Sequence, residues 1–252
     1  VRTARELQVW IDRIKERGWV AVDTETTGLD DMVVDLVGVC LSVEPGRACY
    51  VPLAHVTGDG DLLGAAQRAE GQMPLEDAIA MLKPVLEDPA ILKIGQNLKY
   101  DVKVLVRYGV DVAPIDDTML LSYALHGGLH NHGMDLLSNR YLEHGPIPIK
   151  PLLGTGKSAI TFDQVAIDKA LDYAAEDADI TMRLYQQFAP ALHQQQLQTL
   201  YATIEAPMVA VVTAMERRGV KVDAATLVQL SHAFEKEMHR LEALAHNEAG
   251  EV

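Results

Sequence analysis

Leu7, Trp10, Ile11 and Ile14 recur every three to four positions, Thr3 and Glu6 supply a capping box ahead of them, and Gly18 stands past the end, so the chain opens with a predicted helix. The pattern then turns to strand. Trp19 to Thr24, Val33 to Val43 and Arg47 to Leu53 are rich in valine and other strand formers and are parted by Gly or Pro turns, which predicts an antiparallel meander. From Leu75 to Leu86 the spacing is helical again, with Ile79, Leu82 and Leu86 on one side, and Ile91 to Gly95 reads as a buried strand. Leu98 to Tyr108 predicts a helix closed by Gly109, and a short segment near Ile115 leads into a helical stretch through Leu125. The predicted class is α/β with a mixed sheet.

Beyond a loop from His126 to Gly133 the pattern is mainly helical, broken by the Gly- and Pro-rich segment from Gly145 to Gly156. The character changes again near Ile204. Pro207 precedes a helical run, Gly219 stops it, and Leu227, Leu230, Phe234, Met238, Leu241 and Leu244 form one long apolar stripe that needs a partner. These features predict a first domain over residues 1–203 and the start of a second, helical one over 204–252. Val1 in place of an initiating Met points the same way, to a segment of a longer polypeptide.

Composition narrows the class. No run of about 18 apolar residues marks a membrane span, and no basic region followed by an apolar run marks a secretory signal. Cys40 and Cys49, both in predicted strands, are too few for a disulfide framework or a cysteine zinc site, which predicts a reducing, cytoplasmic setting. Asp plus Glu number 36 against 22 Lys plus Arg, a net charge of −14, which argues against coating nucleic acid by bulk charge. A local site remains open, because acids in a cleft can hold divalent cations that supply the positive charge a phosphate needs.

Two suggestive strings are set aside. Gly154-Thr155-Gly156-Lys157-Ser158 resembles the end of a phosphate-binding loop, but Pro151 stands where the pattern requires glycine and a strand should precede it. His126, His130 and His132 lie close together in a Gly-rich loop without a second cluster of ligands, so they read as polar surface, one of which could touch a phosphate.

Three other strings carry chemistry. In Asp23-Thr24-Glu25, alternate strand residues share a face, so two carboxylates emerge together about 6 to 7 Å apart, a costly arrangement unless cations neutralise it. Gly95-Gln96-Asn97-Leu98-Lys99-Tyr100-Asp101 sits at a strand-to-helix junction where amides and a Lys could grip phosphate oxygens while Asp101 faces inward. In Tyr173-Ala174-Ala175-Glu176-Asp177, the four-residue helical spacing puts the Tyr hydroxyl and the Asp carboxylate on one side. Each string also has a plain reading: acids flanking a turn, an acid in the first turn of a helix, and a solvated acidic face.

Taken jointly the three strings resemble the DEDD exonuclease superfamily in its tyrosine-containing branch, and specifically the proofreading 3′–5′ exonuclease domain of the bacterial DNA polymerase I family. Asp23 through Asp30, Gly95 through Asp101, Tyr173 through Asp179 and Thr161-Phe162-Asp163-Gln164 carry the resemblance. Glu205-Ala206-Pro207-Met208 and Arg217 through Asp223 are similar to the first segment of that family's polymerase domain, whose later motifs are missing. Asn131 stands where the family often has Arg before the equivalent of His132.

The resemblance implies a ribonuclease-H-like mixed sheet flanked by helices, with a C-terminal helical stub. It implies a metal-dependent exodeoxyribonuclease that removes nucleoside 5′-monophosphates from a single-stranded or frayed DNA 3′ end, with a polymerase domain in cis. Asp23 would bridge two ions, Glu25 and Asp177 would complete the first, and Asp101 would hold the second, partly through water. Four carboxylates carry up to four negative charges, which two divalent ions balance, and oxygen ligands suit Mg²⁺ or Mn²⁺. Tyr173, with an ordinary pKa of about 10, would orient a water rather than accept its proton. Leu29 and Phe162 match positions that contact the terminal bases, and Gln96, Asn97, Lys99, Tyr100 and His132 are expected at the substrate. Two alternatives stand beside this reading: an RNase D-like RNA 3′ exonuclease, which would use identical metal chemistry, and a non-catalytic DNA-binding or structural module, which the presence of all four acids and the Tyr disfavours.

Overall fold

In the computed structural model, which describes residues 1–57 and 67–250, helix α1 (Ala4–Arg17) begins at the predicted capping box and ends at Gly18 in a left-handed conformation. Strands β1 (Trp19–Thr26), β2 (Leu36–Glu44) and β3 (Arg47–Pro52) form the expected antiparallel meander. β2 starts three residues later than the valine pattern predicts, because the Val33 and Val34 amides both donate to the Asp30 carbonyl in a turn. Two short strands, β4 (Val56–Thr57) and β5 (Gln67–Arg68), pair with each other.

Helix α2 (Leu75–Leu86) matches its predicted bounds. Strand β6 (Leu92–Gly95), helix α3 (Lys99–Arg107), strand β7 (Ile115–Asp117) and helix α4 (Thr118–His126) follow, and β6 and β7 add to the sheet in parallel. The strand order is β3-β2-β1-β6-β7, which puts β1 at the centre. Short helices α5 (Met134–Leu137) and α6 (Lys150–Leu153) precede the 28-residue α7 (Ile167–Gln194). One turn, α8 (Gln198–Leu200), then leads to α9 (Ala206–Arg218) and α10 (Ala224–Ala249).

Strand β1 is buried on both faces, and the alternating direction of its side chains separates two layers. Val20 and Val22 face α1, α2 and α3 in the larger core, whereas Ala21 packs beside Met182 of α7. On β2 a bulge at Val37 shifts the register, so Glu25 pairs with Gly38 and Thr26 with Leu36. The extra residue returns Val37 to the α7 side, where Cys40, Tyr50, Ala174 and Ala178 pack. Gly38 is required there, since a Cβ would stand 2.2 Å from the Tyr50 ring.

The chain divides into two compact units, Val1–Arg217 and Arg218–Val252. Helix α9, assigned from sequence to the C-terminal segment, packs with the first unit as far as Arg217: Val209 and Thr213 are buried, and Glu216 pairs with Lys99 and Lys103. The second unit consists mainly of α10, capped by Asp223, whose carboxylate accepts from the Thr226 amide. Its apolar stripe is exposed, with Phe234 and Met238 open over most of their surface.

Candidate active site

Strand β1 delivers Asp23 and Glu25 to the α7 side of its own C-terminal end, as the alternation predicts. Helix α7 presents Tyr173 and Asp177 from one face, and the alanines one residue after each are buried, bringing the helix close to the sheet. Asp101 arrives from the first turn of α3 and is 2 % exposed. Its Oδ1 accepts from both the Thr24 amide (2.9 Å) and the Thr24 hydroxyl (2.5 Å), so the residue between the two β1 acids aims the third. All five predicted catalytic side chains line one cleft of about 600 Å³.

Burial dominates the electrostatics of this cleft. It pushes Asp23, Glu25 and Asp177 well above the usual carboxylate range, and their mutual repulsion adds to the effect. Asp101 is pushed up to about 7 by burial, with the Thr24 hydrogen bonds opposing the rise. Burial, followed by the Asp177 and Glu25 charges, raises the Tyr173 phenol, which therefore keeps its proton at neutral pH. Glu25 Oε1 is buried with no hydrogen-bond partner among the described residues. An orphaned carboxylate oxygen facing other acids is the arrangement that a bound cation relieves.

Oxygen donors from Asp23 and Glu25 lie within 4.8 Å of each other and of Cys40 Sγ. The sequence reading missed this thiol. Only the β1–β2 register, which pairs Asp23 with Cys40, reveals it.

The expected substrate contacts divide into two groups. Leu29 stands 95 % exposed at the mouth of the cleft. The Tyr100 hydroxyl donates to the Gly28 carbonyl (2.7 Å) and lies 2.5 Å from Thr26 Oγ1, so it fixes the loop carrying Leu29. Asn97 is exposed with a left-handed φ of 58°, and the Asn97 and Leu98 amides donate to Asp117, which also caps α4.

The others are engaged within the protein. The Gln96 amide donates to the His132 carbonyl (2.8 Å) and accepts from Thr118 Oγ1 (2.5 Å), so its side chain ties β6 to α4 and the following loop. Lys99 pairs with Glu216. His132 Nδ1 is 2.9 Å from Ser122 Oγ, and its ring meets Tyr123 edge-on. Phe162 is 3 % exposed and lies among Tyr173, His55 and Tyr50, so it builds the cleft wall from the core side.

The acids of the Tyr173–Asp179 stretch do not form a solvated face. Glu176 accepts from His144 Nε2 (2.7 Å) and the Ile147 amide (2.6 Å), and Asp179 pairs with Arg183 and accepts from the Gly46 amide. Gly154–Ser158 follows helix α6 rather than a strand, in keeping with its rejection as a phosphate loop. His126 and His130 differ from the expected polar surface: with Tyr141 they build a ring cluster, which Phe188 completes.

A mixed five-stranded sheet with a buried acid cluster at the end of its central strand and a long helix beside it is a fold of the ribonuclease-H-like kind. A family model described as 3′–5′ exonuclease matches residues 1–193. The DNA polymerase I of Rhizobium leguminosarum is 45 % identical over 260 residues, covering 100 % of this chain and 26 % of that protein. That of Pseudomonas aeruginosa is 39 % identical over 246 residues, covering 96 % and 26 %. The chain belongs to the 3′–5′ exonuclease domain family of DNA polymerase I, and spans about a quarter of the length of these curated relatives.

Solved structures agree on the fold. The polymerase structure of Pol1 from M. smegmatis, in complex with DNA primer-template and dNTP, superposes with a TM-score of 0.68 at 20 % identity, covering 98 % of this chain and 36 % of that one. Escherichia coli RNase D, an exoribonuclease involved in structured RNA processing, gives 0.60 at 17 %, covering 88 % and 50 %.

Proposed function

We propose that this chain is a divalent-metal-dependent proofreading exonuclease that removes nucleoside 5′-monophosphates from single-stranded or frayed DNA 3′ ends. One observation carries the reading: three segments distant in sequence bring Asp23, Glu25, Asp101, Asp177 and Tyr173 to one cleft. The donor set fits hard cations. The carboxylates repel each other in a buried site, and Glu25 Oε1 has no protein partner among the described residues. Asp23, Glu25, Asp101 and Asp177 would hold two Mg²⁺ or Mn²⁺ ions, which when bound would lower the pKa of a water and stabilise charge on the attacking and departing oxygens.

The hydrolysis adds water across the terminal phosphodiester. The water oxygen bonds to phosphorus, the bond from phosphorus to the 3′ oxygen breaks, one water proton passes to solvent and the departing oxygen gains one. Tyr173, protonated in its buried setting, orients that water by hydrogen bonding. Thr24 holds Asp101 by one carboxylate oxygen, leaving the other to the site. The exposed Leu29 meets the terminal base, and a mismatched end, which frays more readily, reaches it sooner. Tyr100 braces the Leu29 loop; Asn97, with Lys99 and His132 nearby, would meet the DNA backbone, and Gln96 and Phe162 support them from behind.

Residues 204–252 would begin a polymerase domain joined in cis, and chromosomal DNA as substrate puts the protein in the cytoplasm. No single helix among the described residues is long and apolar enough to cross a membrane. Relatives that match across the whole chain are DNA polymerases, which favours DNA over RNA as substrate. The test is metal-dependent dNMP release from a labelled single-stranded oligonucleotide by this chain and by Asp23→Ala, with an RNA oligonucleotide in parallel. Equal rates from the two proteins would remove the mechanism, and faster RNA cleavage would move the assignment to RNA trimming.

A further inference from the structure

Cys40 enters the site through strand pairing. It lies opposite Asp23 in the β1–β2 register and points to the same side of the sheet, and its sulfur is within 4.8 Å of donor oxygens of both Asp23 and Glu25. It belongs to the same buried apolar cluster as Val37, Phe162, Ala174 and Ala178, and the one hydroxyl of that cluster near it, on Tyr50, is engaged with His55 Nε2 (2.7 Å). The second observation is independent of the thiol: Glu25 is 7 % exposed, and its Oε1 has no partner among the described residues. Zn–S and Zn–O bonds of about 2.3 and 2.1 Å put donors on one tetrahedral ion roughly 3.4 to 3.6 Å apart, a separation that falls inside the 4.8 Å limit within which these three atoms lie.

We propose that Cys40 is a thiol donor to the Asp23–Glu25 pair, making this centre a mixed oxygen–sulfur site that takes a thiophilic divalent cation, Zn²⁺ or Cd²⁺, in competition with the hard ion. The inference rests on the reading of Asp23 and Glu25 as metal-holding residues. Oxygen donors alone favour Mg²⁺ or Mn²⁺, whereas a sulfur donor favours soft cations. Ligation exchanges the thiol proton for the ion, and the proton passes to bulk water. A thiophilic ion seated there occupies donors that the hard ion needs, so it inhibits the nuclease.

Cd²⁺ alone is titrated into the reduced, chelator-stripped full chain while thiolate-to-Cd²⁺ charge-transfer absorption is followed in the ultraviolet. Mn²⁺ binding is measured separately by electron paramagnetic resonance. The parent chain and Cys49→Ser show the band and Cys40→Ser does not. Cd²⁺ affinity falls about 10-fold or more in Cys40→Ser while Mn²⁺ affinity stays within about 3-fold. Excess Mn²⁺ removes the band in the parent.

A band that survives Cys40→Ser, a band that Mn²⁺ leaves in place, or Cd²⁺ and Mn²⁺ affinities that fall together would each overturn the proposal, the last by showing that serine merely distorts the pocket. Mn²⁺ binding with no sulfur band in the parent refutes the thiol donor alone. Failure of the parent to bind Mn²⁺ refutes the underlying metal-site reading and this inference with it.

Discussion

Asp101→Asn isolates the energetic strain that the acid cluster imposes on the metal-free protein. Asparagine keeps the shape, and its side-chain oxygen accepts the same two hydrogen bonds from Thr24, so packing is preserved while the charge disappears. Burial raises the Asp101 carboxyl from its ordinary 3.8 to about 7. Folded Asp101 therefore binds its proton more tightly than unfolded Asp101. Its contribution to stability is whole below about pH 3.8 and is lost as pH rises through about 7. At about 1.36 kcal/mol for each tenfold change in proton affinity, that rise sets a ceiling of about 4 kcal/mol on the penalty of the buried charge.

Coupling among the four acids spreads part of this cost over its neighbours. The metal-free Asp101→Asn chain is therefore expected to gain about 2–4 kcal/mol over the parent at pH 8 and almost nothing at pH 4. Urea unfolding in the presence of chelator reads the difference, followed by the fluorescence of Trp10 and Trp19, both in the first compact unit. Mn²⁺ should reverse the ranking, since under the proposed site the parent would bind it through a carboxylate that the variant lacks. A variant no more stable than the parent at pH 8, or a gain that is the same at both pH values, would refute this account of the buried charge.

Tyr173→Phe should slow dNMP release about 10- to 100-fold with Mn²⁺ affinity unchanged; a loss of Mn²⁺ binding would show that the hydroxyl supports the ion site instead. Leu29→Ala, at a position 95 % exposed, should raise KM for a single-stranded oligonucleotide roughly 3-fold and leave the melting temperature in place, so an altered melting temperature with constant KM would count against a substrate role. Asp117→Ala strips the acceptor from the Asn97, Leu98 and Met119 amides, and urea unfolding should show a loss of about 2–3 kcal/mol; no loss would mean that water replaces the carboxylate fully.

What could be read from the chain, and what could not, divides along sequence distance. The capping box of α1, the bounds of α2 and the shared faces of Asp23 with Glu25 and Tyr173 with Asp177 all depend on residues a few positions apart, where the helical or strand period alone sets direction. The remaining features depend on register and packing between segments far apart. Thr24 grips Asp101 across 77 positions and Lys99 reaches Glu216 across 117, so no local pattern could show that the spacer residue of the acid pair aims the third carboxylate, or that Lys99 is already paired. Cys40 reaches the acids because the strands pair Asp23 with it, and the bulge at Val37 also puts that residue on the α7 side; both follow from pairing rather than from composition. Phe162 makes the same point in reverse. An aromatic in a matching string reads as a base contact, yet only the long-range neighbours Tyr173, Tyr50 and His55 show that it is packed against the core while also lining the cleft.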